Sequence, residues 1–128
     1  MIQAGLVFLG GGLGALGRWL FGLLAARLLG TAWPWGTLGV NVIGGFAMGL
    51  TMAILLRGGS LGVTSENWRL FLATGILGGF TTFSAFSLES ARMIEAGHWG
   101  QAGLYAMASV CLSVLALFAG MALGRMSS

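Results

Sequence analysis

Four long apolar segments, separated by short polar breaks, dominate the chain. A membrane-spanning helix needs about 20 predominantly apolar residues, and each of these segments supplies that length. The predicted spans cover residues 4–26, 37–56, 69–95 and 100–124. The pattern therefore predicts an all-α membrane protein in which residues 1–128 form a single four-span domain.

The connections between the spans are predicted to be short. Proline suits the first turn of a helix and tryptophan favours the headgroup layer, so Trp33, Pro34 and Trp35 mark the first connection. Residues 57–69 are expected to form the longest loop, and residues 95–101 a tight turn. The first segment lacks a basic leader and a small-residue cleavage site, which favours a retained span over a signal peptide.

Composition supports the membrane assignment and excludes other classes. The chain is 57% hydrophobic and 7% charged, and its mean hydropathy is +0.94, far above that of a soluble domain. The net charge of +3 comes from scattered arginines without a basic stripe, so nucleic acid is excluded as a partner. The single cysteine, Cys111, is expected to be a small buried hydrophobe, since one cysteine cannot form a disulfide framework.

The arginines near the ends of the spans give little preference for one orientation. Arg57, Arg69 and Arg125 lie on the side of the two termini, and Arg27 and Arg92 lie on the other. Because loop arginines set orientation, a split of three to two is a weak bias that permits insertion in both orientations. Such a chain can assemble as an antiparallel pair, and closely spaced glycines in the spans favour tight helix packing within or between subunits.

Two sets of uncharged polar side chains lie inside the spans, where polar groups are costly and therefore functional hypotheses. Asn41 offers two donors and an acceptor, so it can donate to an anion or link two helices. Tyr105, Ser109 and Ser113 are spaced by four residues and share a helix face. This spacing favours a polar pathway or a polar helix contact.

Charged side chains inside the spans are few. Arg18 is a candidate for a positive charge at an anion vestibule; alternatively it extends to the headgroups or pairs with a carboxylate such as Glu89. Glu89 is the one glutamate within a span, so donors outnumber carboxylates along every candidate path. This balance favours an anion or a neutral solute over a cation.

The third span contains a segment that is unsuited to a continuous helix. Gly75, Gly78 and Gly79 lie within five residues and are followed by Thr81 and Thr82, which predicts a helix broken near its middle. Irregular backbone at membrane depth requires protein or a lined cavity to satisfy its polar groups. Its free carbonyls suit a cation such as sodium, whereas the amides of the following half-helix suit an anion.

Two phenylalanines follow this segment on one face of the second half-helix. Phe83 and Phe86 are three residues apart. An aromatic ring is positive at its edge, so rings turned edge-on can line an anion path with moderate affinity. Packing against lipid or the protein core is the alternative explanation.

Three motifs, in this order, resemble the Fluc (CrcB-like) fluoride channel family. They are GGGLGALGRW at residues 10–19, PWGTLGVNVIGG at 34–45 and TGILGGFTTFSAFSLE at 74–89. The resemblance implies a channel rather than an enzyme, assembled as a dual-topology antiparallel homodimer in the lipid bilayer of the bacterial inner membrane. It also implies passive export of toxic fluoride through two pores per dimer.

The same resemblance assigns roles to individual residues. The backbone carbonyls of Gly78 and Thr81 from both subunits would hold a central structural sodium ion that is not transported. The fluoride path would be formed by Phe83, Phe86, Asn41, Ser109, Ser113, Tyr105, Thr82 and Arg18. Ala85 departs from the pattern, because many relatives carry Ser or Thr at that position, and this disfavours a hydroxyl role there.

Two rival functions share the four-span architecture. A small multidrug-type exporter would need a membrane-embedded glutamate in its first span, and residues 4–26 contain none. A structural or regulatory membrane subunit would use the polar faces for helix contacts alone.

Overall fold

The computed structural model describes residues 1–57 and 63–126, and all of its regular structure there is helical. The helices are α1 (Ile2–Leu29), α2 (Trp35–Arg57), α3 (Val63–Arg69), a π-helical segment (Leu70–Leu77), the single turn α4 (Gly78–Phe80), α5 (Phe83–Glu95) and α6 (Trp99–Met126). Four stretches are long and apolar enough to cross a membrane: Ile2–Leu29, Trp35–Leu55, Glu66–Glu95 and Trp99–Met126. The predicted all-helical, four-span membrane protein is confirmed.

The predicted loop at residues 57–69 is wrong over its second half. Residues 58–62 lie outside the described part of the chain, but α3 forms at Val63–Arg69. Arg69 Nε donates to Glu66 Oε2 at 3.1 Å across one helical turn. A glutamate in the first turn and an arginine in the last also complement the helix dipole, so this polar stretch stabilises a helix.

The helices pack in two main pairs. α1 lies against the π-helical segment and α4, and α2 lies against α6 along much of its length. Gly14 and Gly120 mark these two contacts, since a Cβ on Gly14 would overlap the Ile76 carbonyl and one on Gly120 would overlap the Phe46 carbonyl. Glycine thus permits the backbone approach that stabilises helix pairs in a membrane.

The buried core is small and lies beside the α2–α6 contact. Tyr105 and Val40 are the largest side chains that are almost fully buried in the described part of the chain. Most large apolar side chains of the long helices are instead exposed, as expected where lipid replaces water as the solvent. Polar groups near Val40 and Tyr105 are therefore shielded from lipid by the packed helices.

The expectation that Cys111 is buried is wrong. Cys111 is exposed, whereas Tyr105 and Ser109 are buried on the same helix. Two residues along an α-helix rotate the side chain by about 200°. Cys111 therefore lies on the face of α6 opposite Ser109.

Candidate functional site

Two residues with extended backbone separate α4 from α5. Thr81 has φ −85° and ψ 159°, and Thr82 has φ −152° and ψ 121°. The Thr81 amide and hydroxyl both donate to the Leu77 carbonyl at 3.0 Å. Thr82 caps the next helix, because its Oγ1 accepts the Ala85 amide at 3.1 Å. The Thr81 side chain thus forms a hydrogen bond at the C-terminal end of α4, and the Thr82 side chain caps the N-terminus of α5.

Asn41 satisfies the backbone of Thr82 from the neighbouring helix α2. Its Nδ2 donates to the Thr82 carbonyl at 3.0 Å, and its Oδ1 accepts the Thr82 amide at 2.8 Å. Because an amide can only donate and a carbonyl can only accept, this pair fixes the orientation of the Asn41 side chain. Of the two uses expected for Asn41, the link between elements is present, and one Nδ2 hydrogen is left over for another acceptor.

The Asn41 contact also changes the bonding of the Gly78 carbonyl. In a continuous α-helix the Thr82 amide would donate to Gly78 O, four residues earlier. Here the amide donates to Asn41, so the Gly78 carbonyl is released from that bond. Gly78 is exposed on the single chain, and Thr81, three residues on, has left the helical conformation. These carbonyls suit a hard cation, which prefers oxygen ligands.

Side-chain ligands offer no alternative metal site within residues 1–57 and 63–126. No group of three or more His, Cys, Asp or Glu side chains in these ranges is arranged to hold a metal ion.

Arg18 of α1 contacts the α4 turn, which precedes the two extended residues. Its Nε donates to the Gly79 carbonyl at 3.1 Å. Arg18 also lines a cavity of about 370 Å³ together with Trp33, Thr82 and Glu89. Half-buried and held by backbone, Arg18 places a positive charge beside a polar opening in the protein.

Glu89 bonds to a tyrosine, which settles one open alternative for Arg18. The Tyr105 hydroxyl donates to Glu89 Oε1 at 3.0 Å. The ion pair at the start of the third span joins Arg69 to Glu66. Arg18 and Glu89 therefore line the same cavity without forming a salt bridge.

A second cavity, of about 400 Å³, lies on the other side of Thr82 and gathers most of the predicted path residues. Its polar and aromatic lining comprises Asn41, Thr81, Thr82, Phe83, Phe86, Ser109 and Ser113, and the rest of its wall is glycine and aliphatic or methionine side chains. No carboxylate lines it. We refer to it below as the serine cavity and to the first as the arginine cavity.

The two serines of the serine cavity carry hydroxyls without protein partners. Ser109 Oγ and Ser113 Oγ are both buried, and neither finds a hydrogen bond among the described residues. Buried hydroxyls are normally satisfied by protein, water or a ligand. Two hydroxyls without a hydrogen-bond partner of normal geometry therefore belong to residues in the wall of the cavity, with their oxygens covered in this conformation.

The predicted path aromatics form a continuous row. Ring centroids are 5.5 Å apart for Phe83 and Phe86, and 5.1 Å apart for Phe86 and Tyr105. Tyr105 is completely buried behind Phe86 and does not line the serine cavity, whereas Phe83 is 77% exposed on the single chain. The structure thus gathers Phe86 with the serines but leaves much of Phe83 facing outward.

Trp33 belongs to this row, and sequence reasoning assigned it only to the headgroup layer. Its ring meets Tyr105 edge-on, with centroids 5.6 Å apart and planes at 82°. It also lines the arginine cavity. Proximity of a loop tryptophan to residue 105 depends on how α2 and α6 pack, so periodicity along the chain does not reveal it.

Comparison with known proteins identifies the family of this chain. The family model described as CrcB-like protein, Camphor Resistance (CrcB), matches residues 5–121. A protein of Phenylobacterium zucineum is 53% identical over 94% of this chain and 93% of its own length. One of Agrobacterium fabrum is 47% identical over 98% of each chain, and one of Caulobacter sp. strain K31 is 54% identical over 94% of this chain and 92% of its own.

All three relatives are named fluoride-specific ion channel FluC. They are bacterial proteins, and the four apolar spans make this chain a multi-pass bacterial membrane protein as well. A match over most of the chain, at about half identity, leaves one assignment: the chain belongs to the CrcB-like family.

Proposed function

We propose that the protein is a fluoride-selective ion channel that exports fluoride passively and so lowers its toxic concentration in the cytoplasm. The observation that carries the proposal is the serine cavity, in which two partnerless hydroxyls meet an asparagine amide and phenylalanine rings without any carboxylate. Relatives that share about half of the sequence are named as fluoride-specific channels. Channel function requires no catalytic residues, and the protein is not an enzyme.

The lining of the serine cavity suits a small, strongly hydrated anion. Donors must replace the hydration shell of the ion, and in this proposal Ser109, Ser113 and the remaining Asn41 amide hydrogen supply them; all three residues line the cavity. Ring edges of Phe83 and Phe86 add weak positive potential without a full charge. Several moderate sites in series allow an ion to enter and also to leave, which conduction requires.

In this proposal Thr82 connects the two cavities into one path. It lines both the arginine cavity and the serine cavity. Arg18 attracts the anion into the first cavity, and the ion then passes Thr82 and Asn41 to reach Ser109 and Ser113. Tyr105 acts from behind Phe86 by holding Glu89 through its hydroxyl.

A second, antiparallel copy of the chain completes the path in this proposal. Within the apolar third span, α5 exposes Phe83, Ser84 and Ser87 on the single chain. The two hydroxyls form hydrogen bonds within the chain, Ser84 with Thr82 Oγ1 and Ser87 with the Phe83 carbonyl, but a polar face at membrane depth is still less favourable against lipid than against protein. An inverted partner covers this face, gives two symmetry-related pores per homodimer, and is compatible with the nearly even distribution of arginines.

The cation proposal also depends on the second copy. The released carbonyl of Gly78 and that of Thr81 supply two oxygens from one chain, and a two-fold axis beside them doubles the number to four. Such a site suits a sodium ion that joins the subunits and is not transported. Bound there, sodium supplies a fixed positive charge between the two copies.

The test is an efflux measurement on purified protein in liposomes. Liposomes are loaded with fluoride or with chloride, and release is followed with an ion-selective electrode. We expect rapid fluoride release and no chloride release above that of protein-free liposomes. Absence of fluoride release from verified, folded dimers would contradict the proposal.

The rival multidrug-type exporter remains without a supporting observation. That mechanism needs a carboxylate embedded in the first span, and α1 (Ile2–Leu29) contains none. Release of fluoride from liposomes without any proton gradient would separate a passive channel from an exporter of that class.

A further inference from the structure

Side chains from two different helices hold the backbone on either side of Thr81. Asn41 of α2 binds both polar backbone groups of Thr82. Arg18 of α1 binds the carbonyl of Gly79. In a continuous helix Gly79 O would accept the Phe83 amide, but the two extended residues move that amide out of register. Arg18 Nε takes its place as the donor.

Arg18 therefore decides which carbonyl of the α4 turn stays available. The carbonyls of Gly78 and Gly79 both lose their helical donors when the helix stops at Phe80. Gly79 O is occupied by Arg18 at 3.1 Å, and Gly78 O is left for another ligand. An unsatisfied carbonyl in a membrane is costly, so the Arg18 contact also stabilises the turn itself.

We propose that Arg18 is a positioning residue for the cation site: its Nε–H group anchors the turn that carries the Gly78 and Thr81 carbonyls. The proposal rests on the sodium site proposed above and adds a second task to the Arg18 charge at the arginine cavity. A guanidinium carries five N–H groups. Nε can therefore hold backbone while the terminal nitrogens remain for the cavity that Arg18 lines.

Two substitutions separate the anchor from the charge. In Arg18→Gln, the amide nitrogen Nε2 is bonded to Cδ, as Nε is in arginine, so an N–H donor is kept and the charge is removed. In Arg18→Lys, a methylene group occupies that position, so the charge is kept and the donor there is removed. Arg27→Gln is the matched control, because Arg27 lies on the same helix with its side chain exposed.

The primary measurement is thermal unfolding of the purified full-length dimer during a sodium titration from sodium-free buffer. We expect sodium to raise the melting temperature of the wild type, Arg18→Gln and Arg27→Gln at similar concentrations. Arg18→Lys should require roughly tenfold more sodium for the same rise in melting temperature. A tenfold change in affinity corresponds to the loss of about one hydrogen bond to a charged group. Fluoride efflux should rank the two Arg18 variants the other way. Arg18→Gln should be impaired because it lacks the vestibule charge, and Arg18→Lys should conduct better because it keeps that charge.

The second measurement, hydrogen exchange of the backbone amides at residues 78–85, reports on the anchor without sodium. Exchange should be faster in Arg18→Lys than in the wild type and unchanged in Arg18→Gln. A sodium response in Arg18→Lys equal to that of the wild type, or loss of the response in both variants, overturns the positioning role. A wild type that ignores sodium instead contradicts the cation site, and the exchange rates then decide whether Arg18 anchors the turn.

Discussion

At the scale of single residues, the chemistry of an amide allows Asn41 to hold the backbone and still offer a donor to a second acceptor. One Nδ2 hydrogen and Oδ1 hold the backbone of Thr82, and the second Nδ2 hydrogen remains for the serine cavity that Asn41 lines. The structural role and the proposed anion contact are therefore compatible. They respond differently to substitution by aspartate.

Asn41→Asp should reduce fluoride efflux by at least roughly tenfold. The carboxylate still accepts the Thr82 amide, but it loses the donor to Thr82 O and adds a negative charge to an anion path. Efflux from liposomes at equal protein content is the measurement, with dimer size checked by gel filtration. Cys111→Ser, exposed on the opposite face of α6, is the control; an unaltered rate in Asn41→Asp would remove Asn41 from the path.

Phe83→Ile should also reduce fluoride efflux strongly, because an aliphatic side chain has no positive ring edge for the anion. Phe118→Ile is the matched control, since Phe118 is 61% exposed and does not line the serine cavity. Efflux and dimer size are measured as before. If both variants conduct like the wild type, the Phe83 ring is not part of the path.

At the scale of elements, the close contact between α1 and the third span brings Arg18 within reach of Gly79. α1 lies against the π-helical segment and α4, and Gly14 permits the approach because its hydrogen faces the Ile76 carbonyl. A longer distance between these helices would separate Arg18 Nε from its acceptor. Helix packing and the geometry of the extended residues are thus coupled.

Gly14→Ala should destabilise the protein by about 1–3 kcal/mol, since the new methyl group overlaps a backbone carbonyl that cannot move freely. Gly12→Ala, on the same helix but with open space around its Cβ position, should be neutral or slightly stabilising through helix propensity. Thermal unfolding of the two purified variants in one detergent is the comparison. Equal melting temperatures would show that the α1 contact tolerates a wider spacing.

At the scale of the whole molecule, the single chain leaves the surface around the start of α5 uncovered. Phe83 is 77% exposed, Gly78 is exposed, and the proposed cation site has two of its oxygens. All of these positions flank the start of α5, so one partner contact covers them together. The antiparallel homodimer is the assembly that we propose for this surface.

Dual topology predicts that one loop appears on both sides of the membrane. A single cysteine is introduced as His98→Cys, in a Cys111→Ser background, and treated in intact cells with a membrane-impermeant maleimide. His98 lies in the exposed connection between α5 and α6. We expect part of the protein to react before permeabilisation and the remainder only afterwards; complete reaction, or none, before permeabilisation would contradict antiparallel insertion.

Hydropathy and residue spacing were enough to assign the spans and the types of residue at the site. Twenty or more apolar residues in a row can satisfy their backbone in a bilayer only as a helix, so four spans followed from hydropathy alone. Helical spacing placed Ser109 with Ser113, and Phe83 with Phe86, on shared faces. The three motifs carried the family resemblance.

Tertiary structure decided the partners of each polar group, because contacts between residues far apart in sequence depend on packing rather than periodicity. It assigned Asn41 to Thr82 and Arg18 to Gly79, pairs separated by 41 and 61 residues. It joined Glu89 to Tyr105. The polar segment before the third span folded as α3, since side-chain pairing within one turn outweighed its loop-like composition. The burial of a helix face, and the residues that bury it, depend on how the helices pack against each other.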